Sequence, residues 1–264
     1  MIAWSPVWAI ALRHLKVWRR DINAMLFHIY WPIFDILTWG YLGLWIQQSQ
    51  AVRFHNYSMV ALLGIVLWQF VGRGANIILT SFTEELWSDN VVNLFSLPLR
   101  MAEWISGVII FYIIMMFFAI LVSLITVNLF YNISMSEMLL NFLTFFPPLF
   151  LCGIWLGFTA LQIMVTLGKR GIEMSFVMIW FFLPFSGAYY PTEVLPHWGQ
   201  MISNLLPMSY VFQGMRVYVM HQQDPMPYIV KGYAIGMLYA ALAIAGFIYR
   251  FNRSKIKGLA RLTD

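Results

Sequence analysis

The sequence predicts an all-α integral membrane protein with six transmembrane helices, and three observations support this fold class. The chain has 264 residues, of which 61% are hydrophobic and only 10% are charged, whereas soluble domains carry about 25% charged residues. Six segments each contain roughly 20 mostly apolar residues, enough to cross a bilayer. Lys and Arg cluster in alternate segments between them, which is the distribution found in membrane proteins. This share of charged residues is too small to form the surface of a soluble globular protein.

Residues 4–22 are predicted to form an amphipathic helix that lies in the plane of the membrane surface. Its apolar face consists of Trp8, Leu12, Leu15 and Trp18, and its basic face consists of Arg13, Lys16 and Arg20. Tryptophan beside a cationic face is typical of helices that rest at the lipid–water boundary. An ordinary basic anchor next to the first span is the alternative interpretation.

The six predicted spans belong to a single transmembrane domain over residues 1–264. They cover residues about 25–46, 57–80, 104–130, 138–167, 173–190 and 229–249. The fourth span is long and contains Pro147 and Pro148, which predict a kink or a break in the helix. The fifth span is short and contains Pro184.

The distribution of cations predicts that both termini lie in the cytoplasm. Segments on one side of the predicted spans hold twelve Lys and Arg residues, whereas the opposite side holds only Arg53 and Arg216. Because cytoplasmic segments carry an excess of Lys and Arg, the side with twelve cations is the cytoplasmic one. The chain is therefore expected to be a multi-pass protein of the cytoplasmic membrane with an even number of spans.

The cytoplasmic segment 81–103 is predicted to contain a helix that contacts a partner protein. Ser81 and Glu84 have the spacing of a capping box at a helix start, and Pro98 ends the run. The segment is unusually apolar for a cytosolic loop, with Leu86, Val91, Leu94, Phe95 and Leu97. The bilayer surface or a partner must cover these side chains. The nearby acids would be repelled by anionic lipid, which favours a partner.

The outer segment 191–228 is predicted to form two short re-entrant or interfacial helices before the last span. Pro191, Pro196, Pro207, Pro225 and Pro227 divide it. At 1.5 Å per residue the two helical pieces reach only about 15–20 Å, too short to cross the bilayer. They are also too apolar for a free loop, so burial against protein is expected.

Sequence motifs for catalysis, metals or nucleic acid are absent. The chain has no phosphate-binding loop for ATP, no H-E-x-x-H pair for zinc and no G-x-S-x-G nucleophile motif. Its only cysteine, Cys152, lies in an apolar run and is interpreted as a packing residue. The net charge of +5 is not gathered into a basic stripe on a soluble domain. We therefore expect a transport subunit that is not an enzyme and holds no metal or cofactor.

Two charged residues fall inside predicted spans. Asp35 lies in the first span and Arg73 lies in the second. Charges at this depth normally face a partner charge or a cavity. The sequence leaves both interpretations open: the two side chains pair with each other, or they line a substrate pathway.

Two motifs give the chain a resemblance to a known family. Residues 93–104, NLFSLPLRMAEW, precede the third span, and residues 186–198, SGAYYPTEVLPHW, are followed by residues 204–216, NLLPMSYVFQGMR. Together with the order of the predicted helices, these motifs resemble the type-2 ABC transporter permeases, which include drug, polysaccharide and lipid exporters. The chain departs from the family pattern at Asn90 and Val91, where many members have Gly-Thr.

The resemblance implies a homodimer of permeases that works with a separate ATPase subunit, which binds the ATP and Mg²⁺. The implied ATPase-docking residues are Glu84, Glu85, Asp89, Leu94 and Phe95. The implied outer-gate residues are Tyr189, Tyr190, Pro191, Trp198 and Arg216. Asp35, Arg73, Phe34 and Phe185 are the candidate pathway residues, with Trp39, Tyr41 and Phe181 as further aromatic candidates. Interhelical packing or lipid contact is the alternative interpretation of the aromatic side chains.

The function expected from the sequence is therefore an efflux permease that moves a drug-like, lipid or polysaccharide substrate. A stand-alone secondary transporter or channel is the alternative, because six spans alone are common to many such proteins. A membrane-bound enzyme or assembly factor is a third possibility. The sequence does not select among the three substrate classes.

The predicted topology is tested by labelling introduced cysteines in a chain whose Cys152 is replaced by Ala. We expect Cys at position 134 to react with a membrane-impermeant maleimide added from outside intact cells. Cys at position 88 should react only after the cells are opened, because the positive-inside rule places it in the cytoplasm. Reaction of position 134 only from the cytoplasmic side would reverse the orientation.

Overall fold

The computed structural model describes residues 3–49, 57–131 and 135–262, and within these ranges the chain is helical with no β-strand. The described ranges contain ten α-helices. In chain order they are α1 (Trp4–Arg20), α2 (Ile22–Ser49), α3 (Tyr57–Trp87), α4 (Val91–Ser96), α5 (Met101–Tyr131), α6 (Met135–Leu167), α7 (Ile172–Phe181), α8 (His197–Leu205), α9 (Pro207–His221) and α10 (Met226–Ile256). Short 3₁₀ turns follow α6, α7 and α10 and precede α8. The all-helical class is confirmed.

Four helical stretches among the described residues are long and apolar enough to cross a membrane. They are Leu62–Trp87, Met101–Tyr131, Leu143–Phe185 and Met226–Ile256. The third combines the predicted fourth and fifth spans, which are separated only by the 3₁₀ turn Gly168–Gly171. The predicted first span corresponds to α2, whose apolar character is lowered by Asn23, His28 and Asp35. The count of six spans therefore stays a prediction.

Several predicted helix boundaries are wrong, and the best example is the start of the coupling segment. Helix α3 continues without interruption through residue 87, so no helix begins at Ser81. The Ser81 hydroxyl donates to the carbonyl oxygen of Ile77, 2.7 Å away, one helical turn earlier. The spacing of Ser81 and Glu84 resembles a capping box but lies inside a helix. Of the kink or break predicted at Pro147 and Pro148, the break is absent, because both prolines lie within one helix, and the kink stays a prediction.

Helix α1 forms where an amphipathic helix was predicted, and it packs against α5. Its buried side chains are Val7, Ile10, Ala11 and His14, a different face from the one predicted. Gly107 of α5 permits the close approach, because a Cβ there would lie 2.7 Å from the Cβ of Ile10. The Glu103 carboxylate accepts the backbone N–H of Ala3 at 3.1 Å. Trp4 and Trp8 remain exposed and are available to the lipid–water boundary.

Helix α3 forms the centre of the bundle, with α2 on one side and α6 on another. Tyr112 of α5 reaches into this centre, where its hydroxyl donates to the carbonyl oxygen of Phe70 at 2.6 Å. Gly74 and Gly153 leave room for the Tyr112 ring, since a Cβ at either position would overlap the ring or its hydroxyl. A large polar-tipped side chain is thus buried with its hydroxyl satisfied.

The predicted outer helices are present as α8 and α9, which are separated at Leu206. They contain 9 and 15 residues, so at 1.5 Å per residue they span about 14 and 22 Å. Pro207 begins α9, at a position where a missing N–H costs nothing. Their depth in a bilayer stays a prediction, as does the in-plane position of α1. Arg53, which entered the cation count, lies outside the described residues, as do residues 132–134 of the outer loop.

Candidate functional site

A cavity of about 550 Å³ lies between α2, α3 and α7. Its lining residues are Phe27, Trp31, Asp35, Ile65, Trp68, Gln69, Arg73, Asn76, Thr80, Phe176, Trp180 and Tyr189. Half of these are aromatic, and the polar members come mainly from one face of α3. A mostly apolar pocket with a few convergent polar groups is the usual form of a small-molecule site.

The two intramembrane charges meet at this cavity. A terminal nitrogen of Arg73 lies 3.1 Å from a carboxylate oxygen of Asp35. The side chains are 15% and 27% exposed, so the pair is partly buried and partly open to the cavity. The contact agrees with the interpretation that the two residues pair, and both also line the cavity. That this cavity is part of a substrate pathway stays a prediction. Each charge removes the cost of leaving the other unpaired.

Three polar side chains of α3 point to an interaction that the described protein atoms do not supply. Both amide atoms of Gln69, the indole nitrogen of Trp68 and the amide oxygen of Asn76 are buried without a hydrogen-bond partner in the described part of the chain. Gln69 is only 4% exposed. Buried polar atoms normally have partners, and all three residues line the cavity. Water or a bound ligand can satisfy them.

The other predicted pathway residues lie outside the lining of this cavity. Phe34 packs against Tyr30 and Trp31 on a more exposed face of α2, because it is rotated by about 100° from Asp35 along the helix. Phe185 is buried against Trp198, with ring centroids 5.8 Å apart. Aromatic side chains that line the cavity cannot be distinguished by sequence from those that pack between helices.

The segment before α8 lies next to the cavity and is held by α9. Arg216 of α9 is 8% exposed and donates to the carbonyl oxygen of Tyr190 at 2.7 Å. Tyr190 donates through its hydroxyl to the carbonyl oxygen of Pro184 at 2.9 Å. The next residue back, Tyr189, lines the cavity and stacks on Trp39 with ring centroids 5.1 Å apart. The structure therefore brings the predicted gate residues Tyr189, Tyr190 and Arg216 together.

The remaining predicted gate residues lie at the edge of this group. Trp198 is exposed on α8 and contacts Phe185. Pro191 is half-buried and ends the turn that contains Gly187, whose φ of 73° favours glycine. The turn is also held by the Ser186 hydroxyl, which donates to the carbonyl oxygen of Leu183 at 2.7 Å and accepts the backbone N–H of Ala188 at 3.1 Å. A role of this turn as an outer gate stays a prediction.

At the end of α3 that is predicted to be cytoplasmic, a charged contact joins α1 and α3. A terminal nitrogen of Arg13 lies 2.6 Å from a carboxylate oxygen of Glu85. The second carboxylate oxygen accepts bonds from Arg13 at 2.9 Å and from the Asn90 amide at 2.8 Å. Glu85 is almost fully buried, so its charge is satisfied within the chain. Asp89, with a φ of 52°, contacts Lys169 of the next cytoplasmic turn at 2.8 Å.

The chain itself covers four of the five apolar side chains of segment 81–103 that were expected to need an external cover, whereas Leu97 stays exposed. Leu86, Val91, Leu94 and Phe95 are buried. The Phe95 ring lies 4.6 Å from that of Phe251 in α10 and 6.1 Å from that of Trp104 in α5. Of the predicted docking residues, Glu84 and Asp89 are exposed, whereas Glu85, Leu94 and Phe95 are not.

Exposed residues of this region form a surface that we call the cytoplasmic face, after its predicted side of the membrane. It comprises Glu84, Trp87, Asp89, Val92, Asn93, Ser96 and Leu97, and Ser88, Pro98 and Arg100 are exposed beside it. Trp87, Val92 and Leu97 give it three exposed apolar side chains, and Glu84 and Asp89 give it two acids. The sequence identified the segment, but only the fold separates the buried side of α4 from the exposed one.

Comparison with known proteins adds one match. The family model described as ABC-2 type transporter matches residues 6–220 of the chain. That range begins in α1 and ends in α9, so it contains the cavity, the cytoplasmic face and the Arg216 contact. No curated protein matches the chain.

The ion pair at the cavity is tested by charge-neutralising substitutions. Asp35→Asn or Arg73→Gln leaves one charge without a partner, and we expect each to cost about 2 kcal/mol and to lower the apparent melting temperature of the detergent-purified protein by about 5 °C. The double variant should recover most of the loss, because it leaves no lone charge.

The exposed pair of Asp89 and Lys169 supplies the matched control. Asp89→Asn and Lys169→Gln should change the melting temperature little, since exposed ion pairs contribute about 0–1 kcal/mol. A loss in the double variant equal to the sum of the two single losses at Asp35 and Arg73 would show that the two charges do not interact.

Proposed function

The chain belongs to the ABC-2 type transporter family, and from this membership we propose that it is the permease subunit of an ATP-driven exporter. Transport by a membrane permease follows from the family. The proposal goes further in five respects: a separate ATPase subunit, export as the direction of transport, a homodimer, location in the cytoplasmic membrane, and the substrate class. Continuity of α3 from the cytoplasmic face to the cavity is the observation that most supports it.

The cytoplasmic face is the proposed docking surface for the ATPase. It combines three exposed apolar side chains with two acids. The opposite side of this segment packs against α10 and is tied to α1 by the Arg13–Glu85 contact. Exposed apolar groups beside charges are common at protein–protein interfaces. Glu85, Leu94 and Phe95, proposed from the sequence as docking residues, support this face from the inside because they are buried.

Helix α3 offers a direct mechanical connection from this face to the cavity. Glu85 and Arg73 are twelve residues apart on one unbroken helix, a distance of about 18 Å. A displacement of the cytoplasmic end therefore moves Gln69 and Arg73 at the cavity wall. ATP binding would drive transport only if the ATPase binds one position of α3 more tightly than another.

A second copy of the chain is proposed to complete the pathway. Helix α2 exposes Phe27, Tyr30, Trp31 and Phe34, and two of these residues line the cavity. A homodimer that packs α2 against its counterpart would bury this aromatic surface. The Tyr189–Tyr190 turn and Arg216 would then control the outer opening, with α8 and α9 beside it.

The cargo is proposed to be a drug-like molecule, a lipid or a polysaccharide. Aromatic rings suit flat apolar surfaces of any of these, and the amide of Gln69 supplies both a donor and an acceptor. The alternative of a stand-alone secondary transporter or channel remains a candidate, because a cavity alone does not require an ATPase.

Substitutions on the cytoplasmic face test the docking proposal. Val92→Glu with Leu97→Glu should lower the amount of ATPase that co-purifies with the chain at least tenfold, because interfaces tolerate unpaired buried charges poorly. The fold should be retained, since both side chains are exposed. Val194→Glu with Met201→Glu, two exposed residues before and within α8, is the control with equal added charge.

Unchanged co-purification of the Val92 and Leu97 variant would exclude this docking surface. Substrate transport by the purified chain in vesicles, with no ATPase present, would establish the stand-alone alternative instead.

The cargo class is tested by stimulation of ATP hydrolysis in the reconstituted complex. Drug-like molecules, lipids and polysaccharides are added in turn, and one class should raise the rate. Gln69→Leu should then raise the concentration needed for half-maximal stimulation about tenfold, the effect of one lost hydrogen bond to a buried group. Gln223→Leu, an exposed amide after α9, should have no effect. Equal responses of the two variants would remove Gln69 from the cargo site.

A further inference from the structure

A groove separate from the cavity runs along α6 and α10. Its upper part, about 280 Å³, is lined by Trp155, Thr159, Gln162, Tyr239, Leu242 and Ala243. Its lower part, about 540 Å³, is lined by Gln162, Val165, Thr166, Gly246, Tyr249, Arg250, Arg253, Ser254 and Lys257. Gln162 belongs to both parts, and the α10 residues follow one another at intervals of three or four, so the two parts form one continuous stripe.

The two parts differ in chemistry. The upper part presents Trp155, Tyr239 and Leu242, which are apolar surfaces. The lower part presents Arg250, Arg253 and Lys257 and has no acid among its lining residues. All three cations belong to the end of α10 that the cation count places in the cytoplasm. The groove is therefore apolar toward the membrane interior and cationic at the cytoplasmic boundary.

Hydrogen bonds hold the junction of the two parts in place. Arg250 donates through Nε to the side-chain oxygen of Gln162 and through Nη1 to the Thr166 hydroxyl, both at 3.2 Å. The Gln162 amide nitrogen donates to the carbonyl oxygen of Ala243, also at 3.2 Å. Gly246 makes room for this arrangement, because a Cβ there would lie 2.8 Å from the Gln162 side-chain oxygen. The exposed guanidinium of Arg250 is thus oriented by two side chains of α6.

We propose that this groove binds one anionic phospholipid of the cytoplasmic leaflet. The phosphate lies against Arg250, Arg253 and Lys257, and an acyl chain follows the upper part past Leu242 and Trp155. Cationic pockets between membrane helices on the cytoplasmic side are suited to acidic headgroups, and an oriented guanidinium matches the geometry of a phosphate. A soluble phosphate compound would use only the lower part, whereas a lipid accounts for both.

The proposal is tested by native mass spectrometry of the full-length chain purified in detergent and mixed with phosphatidylglycerol or phosphatidylcholine. We expect one phosphatidylglycerol to bind at least tenfold more tightly than phosphatidylcholine. Arg250→Gln with Arg253→Gln and Lys257→Gln should remove this preference, because each cation near an anionic headgroup contributes comparably. Lys16→Gln with Arg19→Gln and Arg20→Gln is the control, since it removes the same charge from the cytoplasmic end of α1.

A second variant tests the shape of the groove without changing its charge. Gly246→Leu places a side chain where Gln162 now lies, so it fills the groove and separates Gln162 from Arg250. It should lower the affinity for phosphatidylglycerol at least fivefold, and a cooperative melting transition of the variant shows that the fold is retained. Millimolar inorganic phosphate should not displace the lipid, because it does not use the upper part.

Three results would overturn the proposal. The first is equal binding of the two lipids, and the second is an equal loss in the α1 control, which would indicate attraction by net charge alone. The third is a loss of ATPase co-purification in the α10 variant with phosphatidylglycerol binding intact, which would make the groove a protein-docking surface.

Discussion

The cost of an unpaired charge on an apolar helix is the constraint on which the arrangement of this protein depends. Helix α3 carries two such charges, Arg73 and Glu85, and each has its partner on a different neighbouring helix. Asp35 of α2 pairs with the first, and Arg13 of α1 pairs with the second. These contacts fix α1 and α2 at defined positions along α3, because removing either partner would leave an unpaired charge with little access to water. The cavity and the cytoplasmic face are both built on this one helix.

The burial of α4 changes how a partner would act on the chain. A loose apolar segment would first have to be ordered on binding, and that ordering has an entropic cost. Here Phe95 is already packed against α5 and α10, and Glu85 already holds Arg13 and Asn90. A push on the cytoplasmic face therefore reaches the bundle without first ordering the segment that receives it. This property fits a part that transmits force.

The fold class, α1 and the two short helices before α10 were predictable from the sequence, because each depends on a pattern of apolar, charged or proline residues that extends over many positions. Features that depend on a single residue were not predictable. Ser81 has the spacing of a helix cap but bonds within α3, and nothing local distinguishes these two uses of a serine. Gln69 is one amide in an apolar run, so only the fold reveals that it lines a cavity without a protein partner. The cations of α10 contributed to the predicted membrane orientation. That they line a groove together with Gln162 of α6 is seen only in the folded structure, where α6 lies beside α10.

The two concave sites differ in net charge, and this difference separates the molecules they attract. In the cavity Arg73 is neutralised by Asp35, so an anionic ligand gains little net Coulomb attraction there and an apolar ligand with hydrogen-bonding groups is favoured. In the α10 groove the three cations have no acid among the lining residues, so the attraction for a phosphate is retained. An acidic membrane lipid is therefore drawn to the groove and not to the cavity. Under the proposed functions of the two sites, anionic lipid and cargo would therefore not compete for the cavity.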